Sequence, residues 1–476
     1  MAGASTHKHA KTRITLFDIC PTRTSFYPPR LCGARPHVRW EEADGDSVRA
    51  FWRLLCRNRN YRALWLGQTV SEIGDHFNSI AVLSLALHLT GSGLALGAVM
   101  IARVLPAVLA GPVAGVALDR LDRRKVMLSS DLVRAVIALA HILLLTWRLP
   151  WLLCLLSGML TFASPFFTSG RASILPRIAA PDELHTANAL TQTTSWFTLA
   201  IGTMLGGLST AQFGYRGAFV FNALSFLVSA AAILMLRSPE GHFRPEPLPG
   251  GPVRESHYQL FRGGLAYMLR NPLILGIGLL QIGWSSGGGA AQVLFTLFGE
   301  VVFRRGSTGT GLIWSAAGVG LVLGGLLSHR IGERLSFAQY KHAVTFSFLV
   351  MGLSYTAFSL MPAIWGAMIF IALSRVAMGT NSVLNRTILL THVPDALRGR
   401  VLTSVDVMLH ASMMLSMGAA GIASTHYSPR QIGVAAGLLT ASTALFWAWA
   451  NAAGKLKEPE KIEPLRELER HAVTPA

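Results

Sequence analysis

Charge is what this sequence has least of. Only 14% of its 476 residues are Asp, Glu, Lys or Arg, whereas soluble domains carry about 25%. A chain so poor in charge cannot cover a large water-facing surface. Cysteine is scarce too. Cys20, Cys32, Cys56 and Cys154 are the four, none at metal-ligand spacing, and they read as scattered unpaired thiols. No Walker-type phosphate loop is present, which argues against ATP as a driver. Residues 1–50 hold no continuous apolar core, so a secretory signal peptide is not expected there. That stretch is basic, contains Pro and Arg, and reads as a disordered tail. A membrane enzyme should show acidic or His clusters near one membrane face, and none stands out. The expectation is no enzyme, no metal and no cofactor.

What the sequence has in abundance is long apolar runs. Twelve are bounded by charge or turn residues, at 62–89, 94–118, 126–147, 149–170, 187–212, 216–237, 272–298, 309–328, 341–360, 363–389, 400–424 and 431–453. Runs of about 20 residues span roughly 30 Å as helices and match a bilayer. Helix is required, because backbone groups in lipid need partners within the segment. The fold class expected is all-α, a polytopic membrane protein of twelve transmembrane helices.

The net charge of +18 could suggest nucleic acid, but its distribution argues otherwise. With the N-terminus in the cytosol, 26 Lys and Arg from residue 53 onward fall on the inner side and five on the outer side. That asymmetry orients a membrane protein. Both termini are expected in the cytosol of a bacterial cell, with the protein in its inner membrane and the basic excess touching anionic lipid.

The longest internal loop, residues 238–271, separates six runs from six. Its first part is rich in Pro and Gly. Its second part places Tyr258, Phe261, Leu265 and Met268 at helical spacing, as in a helix lying on the inner leaflet. The expected organisation is a tail (1–58), a first bundle (59–237), this linker (238–271), a second bundle (272–453) and a C-terminal tail (454–476). The two halves echo each other. Arg59-Asn60 recurs as Arg270-Asn271, "GVALDRLDR" from Gly115 as "GLLSHRIGER" from Gly325, and "RASILPRIAAPDEL" from Arg171 as "RTILLTHVPDAL" from Arg386. Internal repeats of this kind build many secondary transporters, with the substrate path between the halves.

Twelve spans in two sixes, a central loop, and the pattern G-x-x-x-D-R-x-x-R-R from Gly115 to Arg124 resemble the major facilitator superfamily. "LWLGQTVSEIGD" (64–75), "ARVLPAVLAGPVAGVALDRLDRRKVM" (102–127), "PDELHTANAL" (181–190) and "VPDALRGRV" (393–401) resemble its branch of enterobactin exporters and macrolide efflux pumps. The resemblance implies alternating access, a small-molecule substrate and a monomer. It also implies that Asp119 takes part in a contact latching the two halves in the outward-open state. Asp122 stands where the superfamily usually has Gly, and His329 stands in the second copy where the first has Asp119.

Each ionisable group inside a span needs an account, because burying it is costly. Arg120, Arg123 and Arg124 can pair with Asp119, Asp122 or lipid phosphates. Asp131 and Arg134, one turn apart, are expected to join this latch network, and Arg171 is grouped with it. The second-half counterparts are Gly325, His329, Arg330 and Arg386, with Asp406 expected to pair with Arg386. Glu72 and Asp75, three apart, share one helix face. Reflection through the loop near residue 90 sets Asp75 level with Arg103, so an ion pair is expected there. Glu72 has no cation at its level in that hairpin. A carboxylate without a partner in low dielectric tends to hold a proton, which suits a proton carrier or a counter-charge for a cationic substrate. Arg375 lacks an acid at its level and is a candidate contact for an anionic substrate group. Ser285, by the repeat offset, corresponds to Asp75. The function expected is proton-coupled export of small amphipathic compounds, a drug or a siderophore. Uptake or lipid flipping on the same fold is the alternative, and a membrane sensor or enzyme the reading from another class.

Overall fold

The computed structural model describes residues 43–238, 241–245, 257–332 and 335–458. Among the described residues every regular element is a helix. In chain order they are α1 (Ala43–Arg57), α2 (Arg59–Thr90), α3 (Gly93–Arg120), α4 (Arg123–Ala140), α5 (Leu143–Trp147), α6 (Pro150–Ile178) and α7 (Leu184–Leu234). After the linker come α8 (His257–Arg270), α9 (Pro272–Leu297, continued by a π-turn to Val302), α10 (Gly306–Gly332), α11 (Phe337–Leu360), α12 (Ile364–His392), α13 (Asp395–Ala423) and α14 (Pro429–Ala452).

Ten helices among the described residues are long and apolar enough to cross a membrane. α2 falls outside that number although it is 32 residues long; it carries Gln68, Glu72, Asp75 and His76 in its middle. α7 runs for 51 residues but is broken at Gly214, whose φ of 69° and ψ of 179° are not helical. A side chain there would be strained, which is why the corner carries glycine. Large apolar side chains face outward along the rods, Leu415 at 76% exposure and Ile369 at 69%. Exposed Trp147, Trp151, Trp365 and Trp449 stand near rod ends, as in interfacial aromatic belts.

Lipid gives helices little hydrophobic reason to associate, so small residues that allow close approach hold the bundle together. Two such seams join the halves. On one, Gly97 of α3 faces the backbone of Met417 and Gly421 on α13; on the other, Gly207 of α7 faces Ser307 and Gly311 of α10. A methyl group on Gly97 or Gly207 would lie under 3 Å from the opposing backbone.

The apolar core shows where the halves meet. One cluster draws on both: Phe77, Leu96 and Phe219 from the first, Phe295, Ile313 and Met417 from the second. It lies toward the end of the rods that holds residues 93 and 424. Toward the opposite end the core divides. Met127, Ile174 and Phe243 belong to a cluster of the first half, and Ile277, Tyr340 and Trp447 to one of the second. At that end, a side chain on Gly111 or Gly115 of α3 would meet nothing within 4 Å. The bundles thus share one core at one end and hold separate cores at the other, where α7 and α10 stay in contact as far as Trp196 and Gly325.

Two expectations need correction. Residues 1–58 read as a disordered tail, yet Ala43–Arg57 is helical. Leu54 is buried against the first-half cluster, with Phe51 and Leu55 packed on it, and this burial stabilises a helix that composition alone does not favour. The start of the linker is pinned as well. Phe243 is buried, its N–H donates to Asp122 Oδ2 at 3.1 Å, and its carbonyl accepts from the Arg123 N–H at 3.3 Å. α8 docks on protein through part of its apolar face, with Met268 fully buried and Ser404 Oγ donating to the Phe261 carbonyl. The Tyr258 side chain lies outside the described residues.

Candidate functional site

A cavity of about 670 Å³ lies between the bundles. Its wall combines His76, Ser79 and Arg103 from the first half with Gln292, Trp314 and His410 from the second. Met100, Val104, Met413 and Met417 supply the apolar part, and methionine adapts to ligands of varied shape. Among the described residues that line it, Arg103 carries the permanent charge, and its Nη2 donates to Ser79 Oγ one turn from Asp75. The proportions suit a small molecule: a mainly apolar lining with a few converging polar groups.

The polar stripe of α2 sets the site's electrostatics. Glu72, Asp75, His76 and Ser79 follow the spacing of one helix face. His76 and Ser79 face the cavity, whereas Glu72 and Asp75 are engaged by neighbouring helices. Asp75 Oδ2 lies 2.6 Å from Arg134 Nη2, whose Nη1 lies 3.2 Å from Asp131 Oδ1. Asp131 is fully buried and the Arg134 side chain 4% exposed. The Arg134 guanidinium also stacks over Phe226 at 4.0 Å. One arginine thus bridges two acids and ties α2 to α4 and α7.

The expected Asp75–Arg103 ion pair is not formed. Arg103 stays within electrostatic reach of Asp75, but its guanidinium is turned to Ser79 and the cavity. Asp131 and Arg134, expected to join the latch network, are tied instead to Asp75 within the bundle. Glu72 does not lack partners. Its carboxylate accepts from Gln68 Nε2 at 2.7 Å, Ser195 Oγ at 3.0 Å and Thr198 Oγ1 at 2.9 Å. Arg171 Nη1 lies 3.6 Å away, so Arg171 belongs with Glu72 and not with the latch motif.

The motif that begins at Gly115 ends one helix and starts the next. Asp119 and Arg120 are exposed on the last turn of α3. Asp122 caps α4, its Oδ1 accepting from the Arg124 and Lys125 N–H groups at 2.9 and 3.2 Å. An acid suits this position, because the free N–H groups of a helix start favour negative charge. Arg123 Nη1 donates to the Ser173 carbonyl, and Arg124 donates to the Ile233 and Leu234 carbonyls at the end of α7. These contacts all stay inside the first half. In the second half Gly325 lies against the Trp196 ring of α7. The His329 side chain lies outside the described residues, and Arg330 is exposed on α10. Arg386 and Asp406 are both exposed and form no ion pair among the described residues, though they remain within electrostatic reach. Ser285 is buried, donates to the Ile282 carbonyl at 3.1 Å and does not line the cavity. Arg375 sits in a separate small pocket of the second half. His76 and His410, to which the sequence assigns no role, also stand in the cavity wall. Their mid-span position is the one sequence signal that points to them.

Comparison with known proteins extends this picture. The chain is 25% identical over 350 residues to a putative bacilysin exporter, BacE, of Bacillus amyloliquefaciens, covering 74% of this chain and 85% of the relative. It is 22% identical over 313 residues to macrolide efflux protein A of Streptococcus pyogenes, covering 65% and 74%. In fold it matches the crystal structure of the nucleoside transporter NupG with a TM-score of 0.67 at 13% identity, covering 84% of this chain and all of that one. Residues 64–340 match the family model of the Major Facilitator Superfamily. With more than half its length inside that model, the chain belongs to the major facilitator superfamily of transporters.

Proposed function

We propose that this transporter exports small amphipathic compounds by alternating access and that protons drive it. The observation that carries the reading is the cavity between the bundles, bounded by an apolar cluster shared by both halves at one end and by separate cores of the two halves at the other. The exporters among its relatives favour the outward direction. Arg103 would favour substrates that carry an acidic group beside an apolar body.

Counting α2 as a span and breaking α7 at Gly214 gives twelve crossings, which place both termini on one side. The partition of basic residues puts that side in the cytosol, and the conformation is then inward-facing. Reporter fusions after Glu240 and at the C-terminus should both read cytosolic in a bacterial inner membrane. A periplasmic signal from either would sink this topology.

Proton coupling is assigned to Glu72. Its side chain is 23% exposed, and its one ionic partner among the described residues stands at 3.6 Å. A proton can therefore reach the carboxylate and replace Arg171 there. Losing that contact would loosen α2 from α6 during the conformational cycle. Glu72→Gln should insert and express normally while proton-driven export in inverted vesicles falls about a hundredfold or more, the scale of a single proton-transfer group. Export at the normal rate with its normal pH dependence would remove Glu72 from the coupling.

A further inference from the structure

Apart from Gln292, the glycine-rich stretch "QIGWSSGGGAAQ" (281–292) has no part in the reading above, and neither has Arg375. The two meet. Arg375 on α12 is 7% exposed, and no carboxylate contacts it among the described residues. Its Nη1 points to Met378 Sδ at 3.1 Å, a weak acceptor, and its Cζ lies 5.3 Å from the Phe295 ring centre. Neither contact neutralises a buried positive charge, and an unpaired buried ion costs several kcal/mol.

Two more donors share its pocket. Trp284 Nε1 on α9 and Tyr355 Oη on α11 are both buried without a hydrogen-bond partner among the described residues. Together with Arg375 they line a void of about 10 Å³. Ser374 and Thr440 line it as well, but spend their hydroxyl protons on the Met351 and Ala436 carbonyls. The glycines let the parts converge. A side chain at Gly287 would strike Thr440 Oγ1, and one at Gly288 would press on the Trp284 ring.

We propose that the second bundle binds a small dehydrated halide, chloride in the cell, between Arg375, Trp284 and Tyr355. The void corresponds to roughly one water-sized sphere. A chloride ion is slightly larger and fits with a small shift of the flexible Met351 side chain, which lines the void. A carboxylate-bearing substrate or a sulfate is too large. Water could satisfy the donors but would leave the guanidinium uncompensated, so an anion is the better occupant. The site is distinct from the central cavity, whose lining includes none of these three residues.

The test uses the full-length protein in detergent, dialysed into potassium gluconate and titrated with potassium chloride or bromide at fixed ionic strength. Ligand that binds only the folded state raises the melting temperature in a saturable way, here by about 2 °C or more. Tyr355→Phe, which removes one donor and keeps the shape, should raise the half-saturating chloride concentration about threefold to tenfold. Arg375→Gln should abolish the response. If Arg375→Gln fails to fold, Tyr355→Phe and Trp284→Phe decide the matter. Identical melting in gluconate, chloride and bromide would mean water only and would overturn the proposal. So would a wild-type halide response in the variants that fold.

Discussion

Arg134→Met should cost the folded protein about 3–5 kcal/mol, the usual penalty for removing one member of a buried ionic cluster. Two carboxylates depend on this guanidinium. Asp75 lies 2.6 Å from it and Asp131 lies 3.2 Å from it, the latter fully buried in the first bundle. Without Arg134 the fully buried Asp131 is left uncompensated, and Asp75, 37% exposed, keeps only the more distant Arg103. Phe226 also loses the cation stacked 4.0 Å above it. The expected result is a steep fall in the yield of folded protein in the membrane and a lower melting temperature in detergent. Arg134→Lys should recover only part of the loss, because one ammonium cannot present two separated N–H groups to two acids while lying flat on a ring. Pairing Arg134→Met with Asp131→Asn should restore some yield, since it removes the most deeply buried of the stranded charges. If the single variant accumulates and melts like the wild type, the cluster is not what ties α2 to α4 and α7.

The cluster also marks where sequence reasoning stops. The rods themselves are legible, because a continuous apolar run in lipid has one satisfactory backbone. The expected run 309–328 lies inside α10, and 431–453 coincides with α14 within two residues at each end. The division into halves is legible too, from the repeated landmarks and the 238–271 loop. Side-chain partnership is not. Reflection through a loop compares depths, and by depth Arg103 is a fair partner for Asp75. It cannot compare directions around the helix axis. Arg134 lies 11 residues into α4, about 16 Å from its start at 1.5 Å per residue, which brings it toward Asp75 from another helix. Glu72 teaches the same lesson. Ser195 and Thr198, which donate to it, lie more than 120 positions away on α7, and no local pattern announces them. The helical start at Ala43 escaped for another reason: its support is the burial of Leu54 in a cluster built from distant helices.

Because Arg134 takes Asp75, Arg103 is left facing the cavity, and this yields the second large effect. Replacing Arg103 with Gln should lower export of acidic amphiphiles by about tenfold to a hundredfold, since a hydrogen bond to a charged group contributes about 1.5–3 kcal/mol and each 1.4 kcal/mol is a factor of ten. Export of an anion would also draw on the membrane potential, at about 2.3 kcal/mol per elementary charge per 100 mV, so the proton need not supply all the work. Trp314 in the same wall provides a binding signal through energy transfer to a dansyl group. The probes are a dansylated amino acid with a free carboxylate and its methyl ester, tested on purified protein and in inverted vesicles. Wild type should prefer the acid, Arg103→Gln should lose that preference, and Arg103→Lys should keep part of it by restoring charge without the fork. The ester should bind and move about equally in all three. Equal losses for acid and ester would assign Arg103 a structural role beside Asp75, and an undiminished preference for the acid in Arg103→Gln would rule Arg103 out as the group that recognises it.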